Sequence, residues 1–259
     1  MLNRVATFIY GVLCYAIFFA TFLYAAGFIG NLVVPKSIDS GRSGPLGEAL
    51  LVNAGLLALF ALQHSLMARP WFKRAWTRVI PEQVERSTYV LLSSLALIVM
   101  FWQWRPMGGV VWNVEEQAFR IVLYALCAFG WFLVLLSTFL INHFDLFGLR
   151  QVYLFLLGKE YTALKFGTPG PYRHVRHPLY LGWLFAFWAT PVMTVAHLLF
   201  AIATTLYILM AIQFEEKDLV DFHGDEYRRY QKSVPMILPL RVGKAMAGAP
   251  PAGRKAKSA

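Results

Sequence analysis

Charged side chains are scarce in this chain. Of its 259 residues, 15% are Asp, Glu, Lys or Arg, whereas 58% are hydrophobic. A water-soluble domain carries about 25% charged residues, so composition alone excludes an ordinary soluble protein. Cysteine is nearly absent: Cys14 and Cys127 both lie in apolar runs, where a free thiol acts as a small hydrophobe. There is no C-x-x-C and no Cys/His spacing of a metal site, so neither a disulfide framework nor a bound metal is expected. Acids are outnumbered by bases, 14 to 24. The bases cluster beside apolar runs, which points to anionic lipid headgroups rather than nucleic acid.

What is present is length without charge. Five apolar stretches, roughly 5–34, 46–68, 87–104, 119–141 and 179–213, are long enough to cross a bilayer, which takes about 20 residues. Lipid requires every backbone polar group to be satisfied within its segment, so each stretch is expected to be helical. The first is too long for the apolar core of a signal peptide and reads as a retained helix.

Loop charges set the expected orientation. Arg69, Lys73, Arg74, Arg78 and Arg86 lie in one loop. Arg150, Lys159, Lys165, Arg173 and Arg176 lie in another. The loop at 105–118 holds Arg105 with Glu115 and Glu116. By the positive-inside rule the first two are cytoplasmic and the third is outside, with the N-terminus inside. The tail carries Arg241, Lys244, Arg254, Lys255 and Lys257 without an acid, so it is also expected inside and disordered. An even number of crossings is then needed between 179 and 213. Pro191 interrupts that stretch, and residues 179–190 are too few to span alone. The expected fold is an all-α polytopic membrane bundle: four N-terminal transmembrane helices and a C-terminal helical hairpin, five to six membrane segments in all. Residues 1–240 form one domain and 241–259 the basic tail.

Ionisable groups at the edge of a membrane segment mark a site more often than a surface. Three constellations qualify. Residues 172–182 read Y-R-H-V-R-H-P-L-Y-L-G, and F-E-E-K-D-L and H-G-D-E-Y-R-R-Y follow the last apolar stretch. Arg173, Arg176 and His177 are donors suited to a carboxylate. Glu215 and Glu216 suit an ammonium or a diol, and the Tyr172 and Tyr180 rings suit a cation or a flat base. The second constellation, I-N-H-F-D-L-F-G-L-R-Q at 141–151, places His143 and Asp145 at a helix end. An imidazole there can take a proton near neutral pH, with the carboxylate orienting it. The third, L-Q-H-S-L-M-A-R-P at 62–70, puts Gln63 and His64 near the end of an apolar run, within reach of a substrate. His174 reads as loop, His197 as structural and His223 as surface.

The pattern R-H-P-x-Y-x-G, E-E-x-x-L and G-x-x-Y-x-x-Y resembles the membrane methyltransferases of the isoprenylcysteine carboxyl methyltransferase and phospholipid N-methyltransferase group. The resemblance implies that Tyr172, Arg173, Arg176, His177, Tyr180, Glu215 and Glu216 bind S-adenosylmethionine as methyl donor. The isoprenylcysteine enzymes often carry an arginine one turn before the Glu pair, and Ala211 stands there instead. L-Q-H-S-L-M-A-R-P, E-R-S-T-Y-V-L-L-S-S-L and F-W-Q-W-R-P resemble the NnrU-like membrane family. With N-H-F-D-L-F-G-L-R-Q, the whole resembles the methanethiol S-methyltransferase family. That resemblance implies a small thiol substrate; residue chemistry and position make His143, with Asp145 in support, the expected base, and the loop charges put both termini on the cytoplasmic side of what is expected to be a bacterial inner membrane. The rival expectations are a methyltransferase for a lipid amine or a prenylcysteine carboxylate, and a non-enzymatic NnrU-type protein or haem carrier using His64 and His143.

Overall fold

The computed structural model describes residues 1–239, so the expected tail lies outside the described residues. The elements run α1 (Leu2–Gly30), α2 (Leu46–Ala68), α3 (Pro70–Trp76), α4 (Glu82–Gln103), β1 (Val110–Asn113), α5 (Gln117–Ile141), α6 (His143–Leu146), α7 (Leu149–Leu156), α8 (Pro178–Trp188), β2 (Val192–Thr194), α9 (Val195–His223) and α10 (Asp225–Ser233). By length and composition α1, α2, α4, α5 and α9 can each cross a membrane. Phe119, Phe129, Phe132 and Phe139 of α5 face outward, as in a helix that meets lipid rather than water.

The C-terminal hairpin forms as expected. Eleven residues make α8 about 16 Å long, half of a bilayer's hydrocarbon core. It lies against α5, where Gly130 and Gly182 face each other. A Cβ on Gly182 would stand 2.8 Å from the Gly130 carbonyl oxygen, and one on Gly130 would stand 2.6 Å from the Ala186 nitrogen. Only glycine allows the two backbones to come this close, the small-residue packing that replaces hydrophobic drive inside lipid. The loop before α8 dips past the last turn of α5, where Gly170 lies against Leu140.

Elsewhere α1 packs on α4 and α7, and α2 on α4 and α9. The shared core is aromatic and aliphatic, with Phe28, Met100, Trp104, Phe200, Ala201 and Ile212 nearly inaccessible. One end of the bundle gathers the N-terminus, the 69–81 loop, α6, α7, the 157–177 loop and α10. Contacts such as Arg69–Asp218 at 3.1 Å and the Arg86 Nε donation to the Leu146 carbonyl at 2.9 Å join them.

The other end is closed by an unexpected two-stranded ribbon. β1 pairs antiparallel with β2, and the Val114 amide donates to the Pro191 carbonyl. These strands are too short to show alternation in the sequence. The Thr194 hydroxyl caps α9 by accepting from the His197 amide and donates to Asp39, which also accepts from Asn31. The hairpin tip is thus tied to the α1–α2 loop and to the α4–α5 loop.

Candidate active site

The dipping loop is held by the segment after α10. The Arg176 amide donates to the Pro235 carbonyl at 2.8 Å, and the His177 amide to the Met236 carbonyl at 3.0 Å. The Tyr230 hydroxyl donates to the Tyr172 carbonyl at 2.5 Å. Pro178 then opens α8 at its first position, where its missing N–H costs nothing.

Glu215 and Glu216 are neighbours on α9, so helix rotation of about 100° turns them to different partners. Glu216 accepts from Arg176 Nε at 2.6 Å, lies 3.0 Å from His177 Nε2 and accepts from Gln231 at 2.9 Å. Arg176 also donates to the carbonyls of Gln231 and Val234. This cluster binds the protein to itself. Glu215 faces inward and has one partner among the described residues, the Tyr180 hydroxyl at 2.8 Å. Its second oxygen is therefore spare. Tyr172 lies close enough to Glu215 for burial, and then the carboxylate's charge, to hold its hydroxyl well above the usual range. Burial pushes Tyr230 up to about 12.

Arg173 stands apart from this group. Its side chain is exposed and donates weakly to the Thr168 carbonyl at 3.4 Å. It lines an apolar groove with His174, Phe129, Phe132 and Leu181 on the outside of α5 and α8. The seven residues expected to bind the donor thus divide. Tyr172, Tyr180 and Glu215 face one another, Arg176, His177 and Glu216 form the clamp behind them, and Arg173 points away.

A second polar cluster lies between α2, α4 and α9. His64 Nδ1 is 3.2 Å from the Ser93 hydroxyl, and the Tyr89 hydroxyl is 3.0 Å from each ring nitrogen. Phe60 stacks on the imidazole at 5.2 Å. The Ser65 and Tyr207 hydroxyls meet at 3.1 Å. The Ser65–Tyr207 contact and the Arg69–Asp218 pair lay α2 along α9, so this cluster adjoins the stretch of α9 that leads to Glu215. Gln63 turns to another side of α2, where it donates to the Met67 sulfur at 3.1 Å and leaves its carbonyl oxygen buried without a partner among the described residues. Tyr89, Ser93, Tyr207 and Gln231 were not singled out by sequence. The available signal was polar residues placed alone in apolar runs, which also suits simple helix packing.

His143 and Asp145 do not meet as a hydrogen-bonded pair. The Thr138 hydroxyl donates to the Leu135 carbonyl and so accepts from His143 Nδ1 at 2.9 Å. His143 Nε2 then accepts from Tyr15 at 2.8 Å, and the ring lies flat on Phe139 at 4.1 Å. Both nitrogens are occupied in a residue that is 2% exposed. Asp145 instead takes Arg150 at 2.9 Å and Tyr161 at 3.3 Å, and Arg150 binds Thr162. The expected support of His143 by Asp145 is absent for a local reason. Asn142, with φ of 141°, caps the Asp145 amide and turns the carboxylate toward α7 and the following loop.

A family model described as phospholipid methyltransferase matches residues 119–226, which run from α5 to the start of α10. The chain is 59% identical to the methanethiol S-methyltransferase of Crocosphaera subtropica, over 94% of its own length and 95% of the relative's. It is 55% identical to that of Mycobacterium tuberculosis, over 92% and 98%. It is 53% identical to methanethiol S-methyltransferase 1 of Bradyrhizobium diazoefficiens, over 90% and 82%. No solved structure matches the chain. The identity extends through α1–α4, which carry the His64 cluster, as well as through the matched C-terminal half, and the chain belongs to the methanethiol S-methyltransferase family.

Proposed function

We propose that this protein transfers a methyl group from S-adenosylmethionine to methanethiol, giving dimethyl sulfide and S-adenosylhomocysteine. The observation that carries the reading is the spare oxygen of Glu215, presented beside Tyr180 and Tyr172 and adjoining the His64 cluster. A half-buried carboxylate with unused acceptor capacity suits the ammonium or the ribose diol of the donor. Aromatic faces beside it suit the sulfonium.

S-adenosylmethionine supplies a methyl group on a positively charged sulfur that departs as a neutral thioether. The protein's own part is to hold both reactants and keep water away. Tyr172, Tyr180 and Glu215 bind the donor. Arg176, His177 and Glu216 fix the wall on which Tyr180 stands, and His64 lies on the thiol side. Charge is consumed as thiolate and sulfonium react, so a site of low polarity favours the transfer. Alignment of two small reactants contributes several kcal/mol more. An apolar thiol and thioether can both travel through lipid, in keeping with a site set between membrane helices.

The basic end of the bundle is assigned to the cytoplasm, where the donor is made, and the ribbon end to the outside of a bacterial inner membrane. The test is headspace gas chromatography of the purified protein in detergent. Dimethyl sulfide that needs both methanethiol and S-adenosylmethionine is expected. Methyl transfer to lipid amines with none to methanethiol would overturn the reading.

A further inference from the structure

Methanethiol is mostly protonated at neutral pH, and its sulfur becomes a strong nucleophile only as the thiolate. A proton acceptor beside the methyl donor is therefore required. Most histidines of the described residues are committed elsewhere. His143 has both ring nitrogens bonded, to Thr138 and Tyr15. His177 is part of the Glu216 clamp. His197 bonds the Phe187 carbonyl at the ribbon end. His174 lies on the outer groove, and His223 packs on Phe166 and Phe222 at the basic end. Tyr180 gives its own proton to Glu215.

The geometry points to His64 as the group that takes the thiol proton, with Ser93 as its positioning partner. This rests on the methyl-transfer reading above. His64 is enclosed by Phe60, Tyr89 and Ser93 and keeps only partial exposure. When Ser93 accepts from Nδ1–H, the lone pair of the imidazole resides on Nε2. The Tyr89 hydroxyl is 3.0 Å from each nitrogen; where it accepts from Nδ1–H beside Ser93, Nε2 keeps a free lone pair, whereas each nitrogen of His143 has its own separate partner. The Ser65–Tyr207 contact and the Arg69–Asp218 pair hold α2 along the stretch of α9 that carries Glu215, which brings the imidazole toward the donor pocket.

The step balances simply. The S–H bond breaks and its proton goes to His64 Nε2. The sulfur keeps the electron pair and forms a bond to the methyl carbon. The bond from that carbon to the sulfonium breaks, and its pair stays on the departing sulfur, which becomes a neutral thioether. The imidazolium returns its proton to water before the next turnover.

The test compares two thiols in the full-length protein in detergent: methanethiol and 2,2,2-trifluoroethanethiol, whose thiol is far more acidic. His64→Asn is expected to slow methylation of methanethiol by about 100-fold or more, the usual worth of a positioned base. It should slow the acidic thiol much less and leave S-adenosylmethionine affinity, read by calorimetry, unchanged. Equal slowing of both thiols, or no slowing, overturns the assignment. Should His64→Asn lose donor binding, Ser93→Ala gives the same comparison: a smaller loss confined to methanethiol is expected, and equal loss on both thiols again overturns it. A wild-type protein that methylates neither thiol would sink the methyl-transfer reading itself.

Discussion

Arg176 and Glu216, forty residues apart, meet at 2.6 Å and join the loop before α8 to the end of α9. Both side chains are largely buried. Removing one partner of such a pair leaves the other charge unmatched, at a cost of about 3–5 kcal/mol. Arg176→Lys keeps the charge but loses the fork that also reaches the Gln231 and Val234 carbonyls. We expect Arg176→Lys to lower the thermal midpoint in detergent and Arg176→Ala to lower it further. An unchanged midpoint for Arg176→Ala would show the clamp to be unimportant.

The two glutamates should separate in a mutational test. Glu216→Gln breaks the clamp and should destabilise the protein. Glu215→Gln keeps the Tyr180 contact through the amide oxygen but loses the charge offered to the donor. It should leave the midpoint nearly intact and weaken S-adenosylmethionine binding by about tenfold, or about 1.4 kcal/mol. Titration calorimetry beside a melting curve distinguishes the two, and the reverse pattern would exchange their roles.

Gly182→Val tests the seam between α5 and α8. The added Cβ would meet the Gly130 carbonyl oxygen at 2.8 Å and the Val134 amide nitrogen at 2.9 Å, atoms that cannot rotate away. Overpacking of this kind costs about 1–3 kcal/mol. Tilting α8 also moves Tyr180, two residues earlier, so activity should fall more than the folded fraction does. Equal losses would mean that α8 positions nothing.

His143→Ala should act through stability. It strands the Tyr15 hydroxyl, leaves Thr138 with only its bond to the Leu135 carbonyl and opens a space beside Phe139, a loss of about 1–3 kcal/mol for the group left unpaired. Turnover, normalised to protein that still binds S-adenosylmethionine, should stay within severalfold of wild type. A hundredfold loss in that normalised rate would return the proton acceptor to His143.

Much of this architecture could be read from the chain. The five apolar stretches became five long helices and the short α8, and Pro191 marked the hairpin turn as expected. The hidden parts are those made by contacts across the bundle. Arg173 and Arg176 look alike in sequence, yet the 3₁₀ turn at Gly170–Arg173 turns one outward while α9 captures the other. His143 and Asp145 are two residues apart, and only the cap at Asn142 reveals that they face different partners. The Ser65–Tyr207 contact joins two helices that no local pattern relates.

The carbonyls that hold the dipping loop belong to Gln231, Val234, Pro235 and Met236, beyond the last membrane helix. During synthesis every membrane-spanning helix leaves the ribosome before these residues do. A nascent chain stopped at Ser233 would insert all its spans yet leave the Arg176 and His177 amides without their acceptors. Membrane integration and completion of the site are therefore separate events in the life of one polypeptide, and a nonsense lesion in the last few codons of the described region would yield a protein that is inserted but inert.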